Sequence, residues 1–299
     1  MRVLRSSLVL GSALVLGVGA AMLTVGSAVT TAPASGRGAV VASHQPSARF
    51  LTEARSALVR YLRHDHPPVE LVHPGLAGSA PRGTSLAGSF NWSGYADVTA
   101  TKGTFTKVSG AWTTPAVTCG SEDTITSEWV GIDGWNDGTV EQDGTLDWCF
   151  ESKATYFTWY EMYPAATIEV GRSLRPGDKI TAAVSRTGTS YKLSLTDATH
   201  TASSFSKTAT CAAATCQDTS AEWIAERPAF SIGIAPLADY ASWKLSSGSQ
   251  TASGKSGTIS SFAGNDEVEM VDATNNYKLS APSGLTGGNS FTTTWRNSY

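Results

Sequence analysis

Apolar residues recur along this chain in three rhythms. From about Leu8 to Val25 they run nearly unbroken behind Arg2 and Arg5, and small residues follow at Gly26, Ser27 and Ala28 and again at Ala32, Pro33 and Ala34. A basic start, an apolar middle and a small-residue exit form the layout of an export signal, so 1–34 reads as a signal peptide that is removed. A run of roughly 20 apolar residues also suffices to span a bilayer; Gly11, Gly17 and Gly19 dilute this one. Export without lasting membrane association is therefore expected. Phe50, Leu51, Ala54, Ala57, Leu58, Tyr61 and Leu62 then recur at spacings of three and four, with Arg49, Glu53, Arg55, Arg60 and Arg63 mostly on the other side. That spacing predicts a short amphipathic helix. Pro67 and Pro68 stop it, and Pro74, Gly75, Gly78, Pro81 and Gly83 form a linker leading to Gly88.

From Phe90 onward the rhythm becomes alternation. In 154–163, Phe157, Trp159, Glu161 and Tyr163 point to one side while Tyr156, Thr158, Tyr160 and Met162 point to the other. Similar runs cover 104–113, 125–133, 178–187, 190–197, 219–226, 267–272 and 290–295, separated by turn residues, and no long helix is predicted after residue 88. Many short strands at close spacing predict one large all-β sandwich or barrel. The chain thus divides into a signal peptide (1–34), a helical propeptide (35–87) and a β domain (88–299).

Charge sharpens that division. Up to Gly88 there are 8 basic and 3 acidic residues; after it there are 14 and 22, so a +5 segment precedes a −8 domain. All nine Trp lie in the β domain, and four of the five His lie before it. A net charge of −3 gives no footprint for nucleic acid. Cys119, Cys149, Cys211 and Cys216 are an even number in a chain expected to be exported, which points to disulfides. Of three possible pairings, Cys119–Cys149 and Cys211–Cys216 each close a local loop. No CxxC pair exists, so neither a metal nor another cofactor is expected.

The same inventory excludes familiar hydrolases. After residue 88 the one imidazole is His200, so a Ser-His-Asp or Cys-His site has no base; HExxH, GxSxG and the Asp-Thr/Ser-Gly signature are absent. Carboxylates, amides and aromatics remain. Few charges and few imidazoles suggest tolerance of acid, with few buried carboxylates to protonate.

Three segments concentrate these groups: Trp129-Val130-Gly131-Ile132-Asp133-Gly134 with Val140-Glu141-Gln142-Asp143-Gly144; Trp159-Tyr160-Glu161-Met162-Tyr163-Pro164; and Ala221-Glu222-Trp223-Ile224-Ala225-Glu226. On a strand, Glu222, Ile224 and Glu226 share one face, so either Glu could act. In their order these motifs closely resemble the glutamic peptidases, or eqolisins, which are exported acid endopeptidases made as precursors. Asn91-Trp92-Ser93-Gly94 resembles the family's mature start and Phe291 to Trp295 its closing strand, so the resemblance covers roughly 90–299.

The resemblance implies a jelly-roll β-sandwich of two antiparallel sheets with a substrate groove on the concave face. It places the catalytic amide at Gln142 and the catalytic carboxylate at Glu226, in preference to Glu222. Glu161 and Asp133 are expected to support or line the groove, and Trp129, on the face of Asp133, to form a wall for substrate. Protein or peptide is the expected substrate, hydrolysed without cofactor or covalent intermediate by an enzyme that pepstatin does not inhibit. A monomer is expected, held latent by its own propeptide through the Arg face against the acidic domain. The competing reading is a secreted carbohydrate-binding or glycan-cleaving jelly roll, with Glu161 and Glu226 as a carboxylate pair; such a protein has no use for Gln142.

Overall fold

The structure, a computed structural model, describes residues 71–72, 84–171, 173–213, 215–230, 233–272, 274 and 277–299, all within one compact unit. The apolar run of 8–25 and the helix expected over 50–62 lie outside these residues. Strands dominate, and among the described residues the helical content is two short 3₁₀ turns, Thr201–Ser203 and Ile259–Ser261.

Two antiparallel layers form a sandwich. In the first, Asn265–Val271, Trp92–Val98, Ser220–Glu226, Thr124–Ile132, Val140–Phe150, Lys153–Tyr163 and Ile168–Gly171 lie side by side. In the second the order is Lys255–Thr258, Ser242–Ala252, Phe105–Thr113, Lys179–Thr187, Ser190–Asp197 and Phe205–Thr210. Lys278–Pro282 and Phe291–Trp295 connect the layers at one edge. At the outer edge of the first layer, Thr84–Ser89 pairs in parallel with Asn265–Met270, and Leu71–Val72 pairs with Gly88 and Ser89. The composition boundary at 88 therefore falls inside a strand.

Alternation assigns the faces. Val130, Ile132, Ala221, Trp223 and Ala225 of the first layer join Val108, Trp112, Val184, Trp243 and Leu245 of the second in the main core. The Trp223 indole spans the gap and donates to the Ser109 carbonyl at 2.9 Å. The opposite face of the first layer carries a second apolar cluster of Trp92, Ile125, Trp129, Leu146, Trp148, Phe157, Trp159, Ile224 and Val268. Both local disulfides are present, Cys119–Cys149 and Cys211–Cys216.

One expectation is overturned. Buried carboxyl groups are numerous: Glu128, Glu141, Asp143 and Asp147 all lie buried on the side of the first layer that faces the second. Burial pushes Glu128 up to about 8, and Glu141, Asp143 and Asp147 well above the usual carboxylate range. The buried carboxyl groups are thus of a kind that favours the protonated form, and they are not scarce.

Candidate active site

The face of the first layer that points away from the main core gathers most of the expected site residues. Gly131 is paired with Gln142 on one side and with Glu222 on the other, while Gln142 is paired with Glu161. Paired residues share a face, so Glu161, Gln142, Gly131 and Glu222 form one row across four strands. Glu226 lies on the same face four residues along from Glu222, between Ser127 and Trp92.

Trp129 joins the two ends of this arrangement. Its indole Nε1 donates to Glu226 Oε2 at 2.8 Å. Its far edge covers Gly131, where an added Cβ would come 2.8 Å from Trp129 Cζ3 and 3.3 Å from Gln142 Cβ. Gln142 and Glu226 therefore flank a single indole, one at each end. Gly144 makes room on the neighbouring strand, since a Cβ there would meet the Glu128 carbonyl at 2.2 Å and Trp129 Cβ at 2.6 Å. Trp92 packs edge-on against Trp129, centroids 4.9 Å apart. The ring of Trp129 is fully buried, so its visible part is to hold Glu226 from the side.

Glu226 also accepts from Asn91 Nδ2 at 3.3 Å through Oε1. Two donors on its two oxygens suit the ionised form, which accepts and does not donate. Glu222 differs. It is fully buried, and burial pushes its pKa well up, with Asp133, Asp137 and Glu141 adding to the effect against the Ser220 hydroxyl. A carboxyl group that keeps its proton cannot serve as a base, which separates two residues that the alternating pattern leaves equivalent.

Gln142 donates from Nε2 to Glu161 Oε2 at 2.6 Å, and its Oε1 has no partner among the described residues. Glu161 Oε1 accepts from the Thr167 hydroxyl at 2.7 Å. Burial raises Glu161 to about 7, against the lowering bonds from Thr167 and Gln142.

Asp133 is bonded differently. At φ 69°, just past the end of its strand, it accepts backbone N–H groups from Gln217, Asp218 and Thr219, each at 2.8 Å. It fastens the loop that leads into Ser220–Glu226, and its oxygens are taken up there. Sequence reading missed Asn91 as a partner of Glu226, Thr167 as a partner of Glu161, and Gly131 as the space the indole needs. Asn91 was signalled by its motif, though only as part of a chain start.

The model of the Peptidase A4 family matches residues 90–295. Aspergillopepsin-2 of Aspergillus niger is 29% identical over 240 residues, covering 69% of this chain and 79% of that protein. A Scytalido-glutamic peptidase bound to a transition state analog inhibitor superposes with a TM-score of 0.58 at 25% identity, covering 69% of this chain and 98% of that one. SCP-B, an eqolisin in complex with the tripeptide Ala-Ile-His, has the same fold, with a TM-score of 0.55, 24% identity and the same two coverages. With its motifs, its sandwich and this match in agreement, the chain belongs to the Peptidase A4 family, the glutamic peptidases or eqolisins, and is a peptide hydrolase.

Proposed function

We propose that the protein is a secreted acid endopeptidase, made as an inactive precursor, in which Glu226 and Gln142 carry the reaction. Glu226 takes a proton from water as the oxygen attacks the scissile carbonyl, then returns it to the departing amine. In acid this task suits a carboxylate, because imidazolium has no lone pair to accept a proton. The amide of Gln142 stays neutral at every working pH and donates N–H to the developing oxyanion. Loss of one such donor costs about 3 to 4 kcal/mol in comparable sites.

The observation that carries this reading is the indole bridge: Glu226 bonded to Nε1 of Trp129, while the other end of the ring covers Gly131, which is paired with Gln142 on the same face of one sheet. Trp129 and Asn91 hold the carboxylate, and Glu161 holds the amide. The +5 segment is proposed to cover the acidic domain at neutral pH and to lose that hold as acid neutralises carboxylates.

The test incubates the full precursor at pH 3 and pH 7 with a denatured protein, with pepstatin present, and sequences the new N-termini. Cleavage confined to acid, with a processed enzyme beginning near Gly88, is expected. Latency unchanged by high salt and by charge reversal at Arg55, Arg60 and Arg63 would remove the electrostatic account of the precursor. Cleavage of denatured protein that is equal at both pH values would remove the acid enzyme.

A further inference from the structure

Gln142 raises a question of orientation that the reaction must answer. A primary amide is planar, so the edge turned to Glu161 and the edge turned away from it carry different atoms. Here Nε2 faces Glu161 Oε2 at 2.6 Å, and Oε1 is turned away, buried, with no partner among the described residues. This orientation suits an ionised Glu161, whose two oxygens only accept: one from Gln142 and one from the Thr167 hydroxyl. It is the wrong one for stabilising an oxyanion, because the edge turned away then presents an acceptor along with the second N–H.

We propose that Glu161 is a positioning residue that sets the Gln142 amide by its protonation: protonated, it donates O–H to Gln142 Oε1 and turns the whole NH₂ toward the reacting carbonyl; ionised, it captures that NH₂. The inference rests on Gln142 being the oxyanion donor. The change is a rotation of the amide about its last torsion, which is broad and roughly two-fold for this side chain. No bond is made or broken beyond the proton that Glu161 exchanges with solvent.

The surroundings favour such a device. Glu161 is buried on the face that its own strand shares with Val140–Phe150, where Gln142, Gly144 and Leu146 stand beside it without charge. From the strand on the other side, Glu169 is paired with Trp159 and shares this face. Across the sheet the titratable groups on the face include Glu222, Glu226 and Asp266, with Tyr163 and Lys153 on the strand of Glu161 itself, and Arg227, which follows Glu226, donates to the Phe90 carbonyl. Burial alone raises the Glu161 pKa, to about 7, against the lowering bonds from Thr167 and Gln142. Throughout the acid range Glu161 is thus the donor that Gln142 Oε1 lacks, and near neutrality it stops being one.

The experiment is the pH profile of kcat/KM on a short peptide for the wild type, Glu161→Gln, Thr167→Val and Gln142→Ala, with tryptophan fluorescence at each pH to confirm that the protein remains folded. Glu161→Gln puts a permanent N–H beside Gln142 Oε1, so its activity at acid pH should stay within about tenfold of wild type while the limb that falls toward neutrality moves up by roughly one unit or more. Thr167→Val removes a donor to the ionised form, which should raise the Glu161 pKa and move the same limb upward. Profiles of both variants that superimpose on the wild type would overturn the inference, as would a limb in either variant displaced to lower pH. If Glu161→Gln fails to fold, Thr167→Val decides alone. Full activity in Gln142→Ala would instead defeat the assignment of the oxyanion donor, a separate outcome visible in the same data.

Discussion

At the scale of single residues, the site depends on polar contacts inside an apolar sheet face. The bond from Trp129 Nε1 to Glu226 is short and buried, and hydrogen bonds to charged groups in such places contribute about 1.5–3 kcal/mol. Trp129→Phe keeps an aromatic ring over Gly131 and removes only the donor, so kcat should fall by about 10- to 150-fold with KM little changed, measured on a peptide substrate at acid pH. Equal kcat would show that the indole merely fills space. At this scale motifs that gather several chemical types led to residues that share one sheet face, Gln142, Glu161 and Glu226. Sequence reading named Asp133 from its motif but not the partners of its carboxylate, the backbone N–H groups of 217–219, because such bonds link segments more than 80 residues apart and leave no local pattern.

At the scale of elements, strands with one buried and one exposed face were legible. Phe105–Thr113, Lys179–Thr187 and Ser190–Asp197 alternate as expected and appear within one residue of the limits read from the pattern. Val140–Phe150 was not delimited, though it is one of the longest strands and carries Gln142. It is buried along nearly its whole length on both faces and mixes Glu141, Gln142, Asp143 and Asp147 into both, so neither apolar alternation nor an apolar run marks it. Strands so enclosed set tight limits on side-chain volume. Gly131→Ala would force Trp129 Cζ3 off a contact of 2.8 Å and with it the indole from Glu226. Overpacking of this kind costs typically 1–3 kcal/mol, so a folded protein with a lowered melting temperature and kcat reduced about as far as in Trp129→Phe is expected from thermal melts and peptide assays. Unchanged kcat in this variant would mean that the indole and Glu226 are not coupled through Gly131.

At the scale of the whole molecule, the buried carboxyl groups make the fold an acid-state fold. Asp97 and Glu128 are raised by burial to about 8, Glu161 to about 7 and Asp266 to about 6. In the unfolded chain these groups release their protons near pH 4. Between pH 4 and 8 the folded state therefore binds more protons than the unfolded one, and stability falls as pH rises through that window. Melting temperatures of the inactive Glu226→Gln protein should be highest near pH 4 and fall steadily toward pH 8; a rise over that range would contradict these raised values. The proposed acid activity would then have two separable sources, the chemistry of the site and the survival of the sandwich. Composition showed that charges are few but not where they are, and their placement inside the sandwich reverses the reason first expected for acid tolerance.

The central claim, that Glu226 and Gln142 together hydrolyse the peptide bond, is tested most directly by one comparison at pH 4. Cleavage of a denatured protein, with pepstatin present, is measured for the wild type, Glu226→Gln and Gln142→Ala, each shown to be folded by near-ultraviolet circular dichroism. The account predicts cleavage by the wild type and a loss of about 10²–10³-fold or more in each variant. A folded variant of either kind that cleaves at the wild-type rate would contradict it.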